Sequence, residues 1–405
     1  MVKSFIHKIL LRRHFWRHAT FSEISELYTS RMLRMAAMHI IGSFMSIYLY
    51  QVGYSVGEIA VFWAAFYLFK VVVAMPSAAF VGWIGPKHAI LISNLLYIPA
   101  MICFAYLPQT GAWVLIPALI LQGLSASIYA IAYSIDFSKV KSSEHAGKEI
   151  GYMNIVEKVT TGLSPLIGGI LALVFGPQVV IIVSAILFAL AAAPLMTTGE
   201  QVSTRIKLKL KGFPWRLLFG HSVAQTSLGF DVFASGTVWS LYAAIFIIGI
   251  STSNEIYLIS GALLSVIFLA ALVASYAFGK IIDKRRGKEL MQFGGAANAI
   301  THLMRPFTGS PVTIAGLNAT NEVATTGFTM PYTRAVFDNA DLSGARTTYL
   351  GLTDMLANIG AGLAALLLAL LAPIVGDQQV LVYFFFLAAG NALLMLTARF
   401  PLYNK

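Results

Sequence analysis

The sequence predicts an all-α integral membrane protein whose twelve transmembrane helices form two pseudo-symmetric six-helix bundles. Three observations carry this reading: a composition too apolar for water, basic residues confined to alternate loops, and a repeat at half the chain length. Hydrophobic residues make up 58% of the 405 residues and charged residues 11%, with a mean hydropathy of +0.76. Soluble domains carry about 25% charge. So few charges would not cover a water-soluble surface, so lipid must solvate most of the chain. The apolar runs are continuous rather than alternating, which selects helices over a closed barrel.

Apolar segments centre on 32–51, 57–80, 88–107, 112–136, 150–175, 178–197, 217–248, 254–279, 289–305, 311–335, 346–372 and 379–400. Each is near the ~20 residues a spanning helix needs. Short breakers separate them, among them LPQTG at 107–111, FGPQ at 175–178 and TGSP at 308–311. Thr20 and Glu23 form a T-x-x-E capping pattern, so the first helix should start well before the membrane. Residues 1–20 alternate basic and apolar positions and read as an amphipathic helix on the inner leaflet.

The basic residues test the count. With a cytoplasmic N-terminus, the inward segments hold all but Lys70, Lys158 and Arg305 of the 28 lysines and arginines. Such asymmetry is the positive-inside signature of twelve spans with both ends cytoplasmic in the cell (inner) membrane. It also explains the net charge of +11 without a nucleic-acid partner. The single cysteine, Cys103, excludes an internal disulfide.

A repeat sets the architecture. VGYSVGEI at 52–59 returns as IGISTSNEI at 248–256, and IGYMN at 150–154 as LGLTD at 350–354, each offset by about 200 residues. The organisation that follows is an N-terminal segment 1–20, a six-helix bundle 21–197, a basic cytoplasmic linker 198–216 and a second bundle 217–405. Parallel repeats of this kind are a known transporter design.

Between the second and third helices of the second half stands GKIIDKRRGK, with Gly279, Asp283, Lys284, Gly287 and Lys288. With one inserted residue, it resembles the loop signature of the major facilitator superfamily, and the resemblance covers nearly the whole chain. The matching stretch of the first half, AAFVGWIGPK, keeps Gly85 and Lys87, while Ala78, Gly82 and Trp83 replace the first glycine, the acid and the base. The resemblance implies that Asp283 sits against the start of the fifth helix, near Lys148 to Gly151, and helps close the cytoplasmic side. An aspartate there gains from the positive helix end and from charge-assisted bonds. In the fifth helix, Gly162, Pro165, Gly168 and Gly169 are similar to a family motif associated with exporters, although Thr160 and Ser164 stand where glycines are expected. Close helix packing is the plainer reading of these residues.

Ionisable side chains within spans cost roughly 2.5–3.5 kcal/mol each on insertion scales, so each calls for a partner or a wet cavity. Glu322 leads, flanked by Asn318, Thr320, Asn321 and Thr325 in the tenth helix. The repeat sets it opposite Gln122 of the fourth helix, and the resemblance places both helices on a central cavity, where a carboxylate would carry the coupling proton. Asp231 in the seventh helix shares that role or binds a cationic group. Lys70 calls for an acid across the interface of the halves, or else draws an anionic substrate. Glu157, Lys158 and Asp354 are expected at an inner gate, and His39 in the first helix is a weaker cavity candidate.

The function read from this is secondary transport of a small solute by alternating access, proton-coupled, with a lean to export. Uptake of a nutrient or lipid, or a transporter-like scaffold, are the alternatives. No P-loop supports ATP drive. No acidic or HExxH-like cluster supports a membrane enzyme, a metal or another cofactor. A monomer is expected.

Overall fold

The computed structural model describes residues 21–140, 146–196, 206–249 and 254–403; the side chains of 21–28, 136–140, 146–154 and 156 also lie outside that description. The expected amphipathic segment 1–20 and the Thr20–Glu23 cap therefore fall outside it.

Every described element is helical. Helix α1 runs Phe21–Ile41, tightens through a 3₁₀ turn at Gly42–Phe44 and resumes at Met45–Val52. Then follow α2 (Val56–Ile84), α3 (Pro86–Ala105), α4 (Leu115–Val140), α5 (Ala146–Phe175) and α6 (Pro177–Met196). The second half holds α7 (Ser222–Ile248), α8 (Glu255–Asp283), α9 (Gly287–Met304), α10 (Pro311–Leu342), α11 (Arg346–Val375) and α12 (Asp377–Thr397). Among the described residues, ten helices are long and apolar enough to cross a membrane. The other two are α9 and α10, whose length is sufficient but whose faces carry buried polar groups such as Asn298, His302, Asn318 and Glu322.

Local chemistry sets the boundaries. Ser55 and Glu58 close a capping box at the start of α2, and Ser310 and Thr313 do the same for α10. The α5–α6 and α11–α12 turns both use a glycine at positive φ, Gly176 at 86° and Gly376 at 96°, a conformation that costs glycine nothing. These two turns are 200 residues apart, so the repeat is visible in the backbone.

The packing repeats too. α1 packs on α5 and α6, α2 on α4, and α3 on α4 and α6; α7 packs on α11 and α12, α8 on α10, and α9 on α10 and α12. The halves meet mainly along two seams, α2 with α11 and α5 with α8. Small residues permit this approach. A Cβ on Gly351 would lie 2.9 Å from that of Ala78, and one on Gly162 would lie 2.6 Å from that of Phe268. One on Gly169 would collide with the Tyr257 carbonyl, and one on Gly168 with the Ile40 carbonyl. The Asp377 carboxylate accepts from the Val56 backbone N–H at 3.0 Å, tying α2 to α12.

Candidate functional site

Ionisable groups inside the bundle collect into four sets. The first bridges the halves: Lys158 Nζ on α5 stands 2.7 Å from Glu322 Oε1 on α10. Thr326 also donates to Glu322, at 2.9 Å. His39 on α1 lies within electrostatic reach of Lys158. Glu322 is thus paired with a cation of the other half. Gln122, expected opposite it, instead donates to the Tyr97 hydroxyl at 2.7 Å, inside the first half.

The second set lies on the α2–α11 seam. Lys70 and Asp354 interact across it electrostatically, and Asn358 donates to the Asp354 carboxylate at 2.9 Å. Lys70 also approaches the rings of Phe66 and Tyr67 at 5.7 and 5.8 Å. Asp354, expected with Glu157 and Lys158, meets Asn358 and Lys70 here.

The third set belongs to the first half. Arg31 grips Glu157 through two nitrogens at 2.5 and 2.9 Å, with Tyr133 stacked beneath its guanidinium. Glu157 and Lys158 therefore turn to different partners, as adjacent helical residues must. One turn on, Arg34 is 1% exposed. It donates to Asn94 at 2.6 Å and to Ser93 and Ser125 at 3.4 and 3.3 Å, and lies over Tyr129. None of these partners is an acid.

The fourth set belongs to the second half. His302 Nε2 and Asn298 meet Asp231 Oδ1 at 2.6 and 2.8 Å, and Arg305 meets His302 Nδ1 at 2.9 Å. The network assigns a neutral imidazole that donates to the aspartate and accepts from the arginine. Asp231, His302 and Arg305 are at most 2% exposed. Arg305 also bonds Ser235, Asn321 and the Ala234 carbonyl. That carbonyl opens a π-helical stretch, Ala234–Val238, whose irregular bonding frees acceptors in lipid-like surroundings. Asn318 is held by Trp239, which donates to it at 2.7 Å.

Sequence reasoning passed over Arg31 and Arg34 by counting them as loop charges, although Arg34 is buried; Lys87, expected at the gate, is buried as well. It also missed His302 and Asn298, and gave Arg305 no role. Their i, i+4 and i, i+3 spacing on α9 was the available signal.

At the α8–α9 turn, Lys284 and Lys288 are exposed, Gly279 and Gly287 are buried, and Asp283 ends α8. A Cβ on Gly287 would meet the Tyr403 hydroxyl at 2.7 Å. The side chains of 148–151, expected beside Asp283, fall outside the described residues. In the first half, Gly85 caps α3 at positive φ. Gly82, in place of the acid, is where the linker docks: Ile206 N–H donates to its carbonyl at 2.8 Å. A Cβ there would lie 2.5 Å from the Ile206 carbonyl, so an aspartate does not fit. The linker continues to α11, where Lys209 N–H donates to Thr348 at 3.0 Å. Among the described residues, no group of three or more His, Cys, Asp or Glu could hold a metal ion.

A family model described as Major Facilitator Superfamily matches residues 27–333. The chain belongs to that superfamily. Its fold is shared with a bacterial homologue of the iron transporter ferroportin in the outward-facing state, at TM-score 0.65 and 14% identity over 92% of this chain and 97% of that one. The E. coli fucose:proton symporter FucP gives TM-score 0.65 at 11% identity over 91% of this chain and 97% of that one. At such identities the likeness is one of fold. No curated protein sequence matches the chain. This superfamily member is a multi-pass membrane transporter.

Proposed function

We propose that this transporter is a proton-coupled secondary carrier in which two bundles, 21–197 and 217–405, rock about the Lys158–Glu322 contact. The linker 198–216 and both termini then lie on the cytoplasmic side of the cell membrane, as the distribution of lysine and arginine requires. The observation that carries the proposal is the 2.7 Å ion pair between α5 and α10, one partner from each half. Glu322 is buried and Lys158 partly exposed, and removing either charge leaves the other without its partner. Protonating Glu322 removes its attraction for Lys158 and frees the halves to move apart. Thr326 keeps the neutral carboxyl in place, because a protonated acid still has an acceptor oxygen.

Asp231 serves as the supporting acid, since its charge is balanced within the second half by His302 and Arg305 rather than across the interface. The cytoplasmic closure falls to Asp283 and its loop in the second half, and to the docked linker in the first. Gly162, Gly168 and Gly169 pack α5 against α1 and α8, so they supply the sliding seam whichever way the solute moves.

The test uses proteoliposomes loaded with a pH-sensitive dye and offered pooled sugars, nucleosides or amino acids. The wild type should move protons in response to one pool, and Glu322→Gln should not. Proton movement in Glu322→Gln at the wild-type rate, or in the wild type with no pool, would overturn the proposal.

A further inference from the structure

The charges that face the centre are divided by half. The first half presents Lys70 and Lys158, with Glu157 neutralised by Arg31. The second presents Glu322 and Asp354, with Arg305 and His302 committed to Asp231. Among the described residues, the Lys158–Glu322 and Lys70–Asp354 contacts both run the same way, basic on the first half and acidic on the second.

These groups point inward, and all but the buried Glu322 keep some accessible surface. On α5, Leu163, Ile167 and Ile170 are 46–50% exposed and mark the lipid face. At 3.6 residues per turn, Lys158 lies roughly opposite them. Val61 and Val72 mark that face on α2, and Leu363 and Leu370 mark it on α11. Lys70 and Asp354 likewise lie roughly opposite these residues. Yet the Lys158 side chain is 33% exposed, and Lys70 and Asp354 are half-buried. Accessible surface on an inward face is what the wall of a solute path would show.

From this wall we infer that the transported solute is a small zwitterion of the amino-acid class, its carboxylate on Lys158 and its ammonium on Glu322. The reading rests on the transporter assignment and narrows it. A lone cation entering the pair would satisfy Glu322 but strand Lys158, and a lone anion would do the reverse; each leaves one desolvated charge without a partner. A zwitterion replaces the single Lys158–Glu322 contact with two, leaving neither charge alone, and it rejects singly charged analogues by the penalty on the unmatched group. The Glu322 carboxylate holds either a proton or the ammonium. Loading and protonation are then alternatives at one oxygen pair, the arrangement of an exchanger that sends the solute out as protons enter.

Thermal unfolding of the purified full chain tests this with four probes: the pooled standard amino acids, their carboxamides, their N-acetyl derivatives, and pooled neutral sugars. The amino-acid pool should raise the wild-type Tm, and the other three should leave it unchanged. Lys158→Gln should move the response to the cationic carboxamides, and Glu322→Gln to the anionic N-acetyl derivatives. A wild-type response to carboxamides or N-acetyl derivatives equal to that with the free amino acids would overturn the zwitterion. So would a response to sugars alone, or none to amino acids. Proton movement in the dye assay with another solute pool would leave the carrier reading standing, so the two failures are distinguishable.

Discussion

Arg34 and Asp231 sit on the first helix of their respective halves, near-equivalent by the repeat, and each is bonded to an asparagine of the third helix, Asn94 at 2.6 Å and Asn298 at 2.8 Å. The backbone solution is shared; the electrostatic one is not. Arg34 is surrounded by hydroxyls, an amide and tyrosine rings, with no acid among the described residues bonded to it. Asp231 is answered within its own half by His302 and Arg305. A duplicated scaffold has therefore diverged toward excess positive charge in one half and excess negative charge at the cavity face of the other. The ion pair between the halves follows from that divergence, because two identical halves would present like charges to each other. The loop signatures diverge in the same sense. The second half keeps Asp283, while the first gives up its acid at Gly82 and gains a docked linker.

This contrast can be broken or sharpened by substitution. Asp231→Leu should cost the most, about 3–5 kcal/mol, because it strands the buried Arg305 charge; unfolding of the detergent-solubilised protein measures it. Gly82→Asp, which restores the missing acid, should cost about 1–3 kcal/mol through overpacking against Ile206. It should also speed proteolysis within 198–216, and an unchanged cleavage rate would disprove the docking. Arg34→Met should cost only about 1 kcal/mol, since losing the Asn94 bond is offset by no longer burying a charge without a counter-ion. An Arg34→Met cost equal to that of Asp231→Leu would erase the proposed asymmetry. Arg286→Gln breaks the Arg286–Glu289 pair, whose side chains are 67% and 62% exposed. It should shift stability by less than about 1 kcal/mol, as exposed pairs do.

The scaffold was largely legible in the sequence because lipid imposes a coarse code. Apolar length, basic loops and the offset of 200 between Gly176 and Gly376 all survive in one dimension. The candidate site was legible in its residues and not in its pairings. Glu322, Asp231, Lys70, Lys158 and Asp354 stand out as ionisable groups in apolar runs. Their partners come from helices far apart in the chain: Lys158 and Glu322 are separated by 164 positions. Repeat symmetry pointed Glu322 at Gln122, but the halves had exchanged symmetry for complementary charge, so the carboxylate turned to a cation on α5. Arg34 was hidden for a different reason. α1 extends well before its apolar run, so an arginine that counts as a loop charge in the sequence is buried among Ser93, Asn94 and Ser125.

The scheme depends most directly on the Lys158–Glu322 contact as the tie between the halves. Spin labels on the cytoplasmic ends of α4 and α10 in reconstituted protein report their separation. Glu322→Gln should shift the distance distribution at neutral pH to the one the wild type adopts on acidification. Identical distributions in the variant and the wild type at every pH would contradict it.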